Sequence, residues 1–197
     1  MGTPLLRQFE PVVLTKDNIP GWSDLLGGAG TAAAGTAAPA ATSFGVHRLE
    51  VWAINDSKTF KFHIPHEYSP NTVLYPHVHW RALTVAPVPT HVVQFNLSYQ
   101  IARGYSRSAF SSDVVISLVD SPTGYNYNEI IEASLVQAIP ATLVETDGLI
   151  MITLTRVLPS TGTSYTGNVV VDFIDLHFQD DGLSTTTKNY PFTKVIT

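Results

Sequence analysis

The sequence feature that most constrains the fold is an alternation of apolar and polar side chains over residues 93–101. Amides and a serine separate its apolar members, which are Val93, Phe95, Leu97, Tyr99 and Ile101. Because successive side chains of a β-strand point to opposite faces, a period of two fits a half-buried strand and does not fit a helix. The segment therefore predicts a strand with one core face and one amide-rich face.

Similar apolar patterns follow one another from Phe44 onward, separated by turn-forming clusters of Pro, Gly, Asn and Asp. They cover residues 60–64, 114–118, 150–154 and 168–178, and the last is apolar on both faces over much of its length. About seven or eight such strands predict an all-β fold, an antiparallel β-sandwich. The jelly roll is the expected variant, since capsid-type and cupin proteins use it most. No internal repeat indicates a propeller or solenoid.

The segment 129–139 is ambiguous. Asn128 could cap a short helix that places Ile131, Leu135 and Ile139 on one side. Alternation of apolar positions in the same segment would also suit a strand. We expect a strand, because the surrounding pattern is all β.

The N-terminal region differs in composition from the rest of the chain. Residues 26–42 are rich in Gly and Ala, whose small side chains bury too little area to offset the entropy lost on ordering. We therefore predict an irregular N-terminal arm at 1–45, a β-sandwich domain at 46–182 and a C-terminal tail at 183–197. The arm is either a linker without a role or a segment that lies across a neighbouring subunit.

Charge and cysteine content exclude several classes of function. Only 14% of the residues are charged, which favours packing against copies of the chain or a partner. A net charge of -5 with 11 Lys plus Arg gives no basic footprint for nucleic acid. The absence of Cys excludes disulfides and Cys-ligated zinc. We find no secretory signal and no long apolar span, so we expect synthesis in the cytoplasm and no membrane partner.

His77 and His79 are the residues that most suggest metal chemistry. A His-x-His pair on a strand places both imidazoles on one face, as cupin barrels do with two metal ligands. However, no carboxylate follows His79 until Asp113, and Arg81 lies on the same face as the pair. We therefore predict no metal site, and keep ligation by His77 and His79 as the alternative.

The remaining histidines and the usual catalytic motifs give little support to an enzyme. His63 and His66 precede the pair, while His47, His91 and His177 each stand alone and are expected to be structural. The sequence has no G-x-S-x-G elbow and no P-loop ending. We predict no catalytic residues, no cofactor and no enzymatic activity.

Three motifs together resemble a group of tailed-bacteriophage virion proteins. They are HIPHEYSPNTVLYPHVHW at 63–80, the strand VVQFNLSYQIA at 92–102, and DLHFQDDG at 175–182, and the early Trp22-x-Asp24 is also similar. The resemblance implies a virion-associated jelly roll that acts by binding, as head decoration or cement proteins do.

These observations lead to one functional hypothesis and two alternatives. We expect a non-enzymatic virion protein that binds and stabilises a capsid shell, with the major capsid protein or another virion protein as its partner. Low charge and the small-residue arm also favour a homo-oligomer. The alternatives are a cupin-like metal-binding enzyme and a carbohydrate-binding tail or receptor-binding component.

Overall fold

A computed structural model describes residues 21–32, 37–44, 47–83, 87–181, 184–185 and 194–195. Its strands are β1 (Trp22–Leu26), β2 (Gly28–Ala32), β3 (Ala40–Phe44), β4 (His47–Trp52), β5 (Ser57–His63), β6 (Tyr75–Ala82), β7 (His91–Ala102), β8 (Val114–Asp120), β9 (Glu129–Glu132), β10 (Leu149–Val157), β11 (Thr163–Ser164), β12 (Val169–Gln179), β13 (Ser184–Thr185) and β14 (Lys194–Val195). A short 3-10 helix spans Ala141–Leu143. Among these residues, no helix is long and apolar enough to cross a membrane.

The order of the strands in the two main sheets is that of a jelly roll. One sheet contains β4-β12-β6-β9 and the other contains β5-β10-β7-β8, with antiparallel pairing throughout these strands. Successive strands from β4 to β12 cross between the sheets, except for the hairpin of β7 and β8 and the short β11. This connectivity builds two interlocked Greek keys. The predicted all-β sandwich is confirmed.

The inner faces of the two sheets form the core. The five alternating apolar residues of β7 are all buried, so the half-buried strand predicted from residues 93–101 is confirmed. From the facing sheet, Trp52 and Trp80 are fully buried, and the Trp80 ring lies edge-on to Phe95 at 6.1 Å between centroids. The apolar residues of each strand therefore meet those of the opposite sheet.

Arg156 is a buried cation at one end of this core. Its side chain is 2% exposed and donates hydrogen bonds of 2.7 Å to the carbonyl oxygens of Trp52, Tyr165 and Gly167. Burial lowers the pKa of Arg156 to about 10, which leaves the guanidinium charged at neutral pH. It thus links β10 of one sheet to β4 of the other and to the loop before β12.

The described part of the N-terminal region is strand rather than irregular chain, which corrects our expectation. β1 pairs with β12, β2 with β5, and β3 with β4. Backbone hydrogen bonds to sheet edges require no large side chains, and small residues allow a close approach. At the crossing from β1 to β2, Gly27 donates to the Ile174 oxygen at 3.2 Å, and a Cβ there would lie 2.9 Å from the Phe62 ring.

The domain division at 1–45, 46–182 and 183–197 stays a prediction, because strand pairing does not test which part folds alone. Much of the terminal segments lies outside the described residues. In the ambiguous segment, Glu129–Glu132 forms the expected strand. A turn follows this strand, in which the backbone N–H of Gln137 donates to the backbone carbonyl oxygen of Ser134.

Replacing Arg156 with Met should lower the free energy of unfolding by about 3 kcal/mol, because three buried carbonyl groups lose their charged donor. Urea denaturation followed by tryptophan fluorescence measures the loss. The matched control is Arg103→Met, which removes an exposed side chain that donates to Thr142 and should cost less than about 1 kcal/mol. Equal effects of the two substitutions would contradict the linking role of Arg156.

Candidate functional site

A cluster of histidines and carboxylates lies on the outer face of the sheet that contains β6 and β12. His77 and His79 project outward from β6, because the neighbouring residues Val78 and Trp80 fill the core. Asp175 and His177 project from β12 onto the same face, where Ile174 and Leu176 point inward. The cluster is therefore positioned by four residues of two adjacent central strands.

A β-bulge in β12 places Asp175 and His177 on this face. Val169 and Val171 point into the core before the bulge, whereas Ile174 and Leu176 do so after it. The register against β6 shifts between Val171 and Phe173, so one extra residue reverses the side-chain parity of the strand. Without this residue, the odd-numbered side chains that follow would point into the core.

The strand register brings further carboxylates to the cluster. Asp175 lies opposite His77, which in turn lies opposite Glu132 of β9. On the other side of β12, Asp24 of β1 lies opposite His177. Four strands thus contribute to one row of imidazole and carboxylate groups.

The distances within the cluster are short. The His77 Nδ1 atom lies 3.0 Å from the Asp175 Oδ1 atom, and the rings of His77 and His177 are 4.3 Å apart at their centroids. His177 contacts carboxylates through both nitrogens: Nδ1 lies 2.6 Å from Glu132 Oε1, and Nε2 lies 3.1 Å from Asp24 Oδ1. His177 is therefore held between two carboxylates beside the buried pair.

Burial shifts the pKa values of His77 and Asp175 in opposite directions. The pKa of His77 is lowered to about 4, mainly by burial and then by the nearby His177 and His79. The pKa of Asp175 is raised to about 6, mainly by burial, with His177 acting in the other direction. At neutral pH the pair therefore consists of a neutral imidazole and a largely ionised carboxylate.

The two facing atoms of this pair have no hydrogen-bond partner among the described residues. His77 Nδ1 and Asp175 Oδ1 are both inaccessible to solvent, and their 3.0 Å separation is not accompanied by hydrogen-bond geometry. A buried polar atom without a partner costs about 1–3 kcal/mol. Most buried polar groups in native proteins have a partner, so such a pair needs an explanation.

His177 does not stand alone, because it lies beside His77 and Asp175 and contacts Glu132. The carboxylates near His77 come from β12, β9 and β1, not from the residues that follow His79. Arg81 pairs with Asp172 at 2.8 Å, so its charge is offset locally. One sequence signal was available: Asp175 and His177 have the same spacing of two residues as His77 and His79.

The other histidines lie elsewhere or make other contacts. His79 stacks on Phe173 at 4.0 Å between ring centroids. His63 and His66 share Asp147 Oδ1, at 3.1 and 3.0 Å, and His91 accepts a hydrogen bond from the Val88 amide. The side chain of His47 lies outside the described residues. Within the described part of the chain, the histidine and acidic side chains whose ligand atoms converge are His77, Asp175 and His177.

A groove of about 480 Å³ lies beside the cluster. Trp22, Tyr75, Leu135 and His177 are among its lining residues. The Trp22 side chain is 60% exposed and packs edge-on to Tyr75 at 5.6 Å between ring centroids. The exposed indole of Trp22 provides an apolar ring face for stacking.

Exposed apolar side chains collect at the edge of the sandwich where β8 and β9 are the last strands of their sheets. We call this region the β8–β9 edge surface. The turn after β9 lies against β8, since the Gln137 side chain donates to the Ser117 carbonyl. The exposed members are Val115 and Val119 on β8 and Leu135 and Val136 on the turn, and Val136 is 94% exposed.

No protein-family model matches the sequence, and no curated protein matches it. Among solved structures, a Clostridium thermocellum endo-1,4-beta-D-xylanase complexed with xylohexaose is similar with a TM-score of 0.39 and 14% identity, over 88% of this chain and 27% of that chain. A family 11 carbohydrate-binding module from Clostridium thermocellum, complexed with a mixed-linked tetrasaccharide, gives 0.34 and 10%, over 79% and 87%.

A structure of infectious bursal disease virus, Gt strain, gives a TM-score of 0.33 and 10% identity, over 90% of this chain and 38% of that chain. The chain thus spans 27% of the xylanase chain and 38% of the viral chain. The jelly-roll assignment rests on the strand order.

Asp175→Asn should gain stability relative to the parent protein as pH rises. The folded parent holds this carboxyl at a pKa of about 6, above its unfolded value, so the parent loses stability as pH rises through 6 and the Asn variant does not. The difference in unfolding free energy should grow by about 1 kcal/mol between pH 5 and pH 8.

Urea denaturation with a chelator present measures this difference. Asp113→Asn is the control, because it makes the same chemical change at an exposed position. A flat or opposite profile for Asp175→Asn would contradict the burial of an ionised carboxylate at this position.

Proposed function

We propose that this protein is a non-enzymatic structural subunit of a bacteriophage particle that binds and stabilises the capsid shell. The observation that carries the proposal is the β8–β9 edge surface. Apolar patches on a soluble jelly roll are sites where other proteins bind. The motifs at 63–80 and 175–182, which resemble those of phage virion proteins, support the same role.

The position of this surface favours protein binding. β8 is an edge strand whose Val115 and Val119 side chains are exposed, at 60% and 49%. Long apolar edge strands are rare in monomers, which protect such edges with charge, Pro or covering segments. Here the turn after β9 covers part of the edge and adds Leu135 and Val136 to the apolar area. Burial of each large side chain against a partner would contribute about 1.5–3 kcal/mol.

We further propose that the protein forms a homo-oligomer on the particle, with the major capsid protein or another virion protein as the shell partner. Closed two-fold or three-fold symmetry is the usual form of self-association. The low charge of the chain, 14% of residues, supports close contact between copies. Mass spectrometry and cryo-electron microscopy of purified particles test the location, and absence of the chain from finished particles would reject it.

We also assign the contact between copies to the β8–β9 edge surface. Leu135→Asp should therefore weaken self-association at least about tenfold, because it introduces a charge into that surface. Sedimentation over a concentration series measures the change. The matched control is Leu158→Asp: Leu158 is exposed to a similar extent, 62% against 69%, but follows β10 on the other side of β7 from β8. The assignment of the interface would be contradicted if both substitutions weakened self-association equally, or if neither weakened it.

A second candidate function is carbohydrate binding in the groove of Trp22 and Tyr75, as in a receptor-binding component. The exposed edge-on pair of aromatic rings favours it, because sugar rings stack on such surfaces. A glycan array should then give hits that are lost in Trp22→Ala. Trp52 and Trp80 are buried, so intrinsic fluorescence quenching on titration with a hit would report on Trp22. An array without hits would reject this candidate.

A further inference from the structure

We propose that the outer face of the sheet binds one zinc-class divalent metal ion through His77, Asp175 and His177. The proposal departs from the expectation that these histidines are structural, and it is independent of the shell-binding role. It rests on the convergence of three ligand groups and on the two buried atoms that lack partners.

The ligand atoms are close to the spacing that a metal ion requires. One atom from each of the three side chains lies within 4.8 Å of the other two. Ligands at about 2.1 Å from a tetrahedral ion are about 3.4 Å apart, so small side-chain rotations would close the site. All three residues lie on β6 and β12, which pair directly in the sheet.

The two unpartnered atoms lie 3.0 Å apart. His77 and Asp175 are 6% and 2% exposed, and the Nδ1 and Oδ1 atoms that face each other lack a hydrogen bond among the described residues. An imidazole nitrogen and a carboxylate oxygen are both metal ligands. A cation between them would satisfy both and offset the buried negative charge.

The contacts of His177 resemble the support that metal-bound histidines receive. A ligating histidine almost always donates its second ring N–H to a carboxylate or carbonyl. Here Nδ1 lies 2.6 Å from Glu132 Oε1, while Nε2 lies 3.1 Å from Asp24 Oδ1 and 4.0 Å from Asp175 Oδ2. Glu132 is therefore a positioning residue, and Nε2 is the ligand atom.

The carboxylate of Asp24 provides a fourth ligand within reach, since its Oδ1 atom lies 3.1 Å from His177 Nε2. Asp24 belongs to β1, so its participation would fasten this strand to β12. Two imidazoles with carboxylates suit zinc, copper or nickel, whereas magnesium and calcium prefer all-oxygen sites. The site is thus expected to select zinc over magnesium.

The test is zinc binding by untagged full-length protein stripped with a chelator and dialysed. Isothermal titration with zinc chloride and elemental analysis should give one zinc per chain, and magnesium should not compete. His177→Gln and His77→Gln should weaken zinc binding at least about tenfold. His91→Gln and His79→Gln are the matched controls and should bind within about twofold of the parent. Cobalt(II) spectra, which report on the ligands themselves, should change in His177→Gln.

Two results would overturn the proposal. One is the absence of stoichiometric zinc in folded parent protein. The other is loss of binding in His79→Gln with normal binding in His177→Gln, which would assign the ion to the His77 and His79 pair. If circular dichroism shows that the buried His77→Gln variant does not fold, His177→Gln decides, because His177 is partly exposed and its replacement leaves the core intact.

Discussion

The packing of the two inner sheet faces is the constraint on which the rest of the structure depends. Side chains alternate strictly along a strand, so burying one set of residues fixes the position of the other. In β6, burial of Val78 and Trp80 against the opposite sheet necessarily turns His77 and His79 outward. A register slip of one residue would place two imidazoles in the core and a tryptophan in solvent. The outer cluster therefore has the same positional precision as the core beneath it.

The bulge in β12 is an irregularity that this constraint requires. Residues 168–178 read as apolar on both faces, and the structure explains why: the face that enters the core changes between Val171 and Ile174. An extra residue at this point keeps an apolar side chain in the core on both sides of the bulge. The consequence is that Asp175 and His177 meet His77, although no simple alternation of the whole strand would place them there.

The features that could be predicted from the sequence are those that leave a hydrophobic pattern in it. The strand at 93–101 and the β-sandwich were predictable, because an inner face of large apolar residues leaves a period of two in the sequence. The N-terminal strands were not, since their pairing uses backbone groups and small residues such as Gly27, which leave no hydrophobic pattern. The cluster was predictable only in part. His77 and His79 are close in sequence, but their carboxylate neighbours belong to strands about 50 to 100 residues away. Only folding brings these groups together.

Two buried charged groups show how structural and functional roles can be separated. Arg156 is buried, but three carbonyl oxygens at 2.7 Å accept its hydrogen bonds, so its charge is compensated within the fold. Asp175 is equally buried, yet its Oδ1 atom and the facing His77 Nδ1 have no hydrogen-bond partner among the described residues. A hydrophobic pair at these positions would avoid this cost, since replacing buried polar pairs by apolar ones is often neutral or stabilising. The pair of His77 and Asp175 is kept at a cost in stability, and two further carboxylates and a second imidazole lie beside it. Binding of a ligand explains such a pair better than the needs of the fold do.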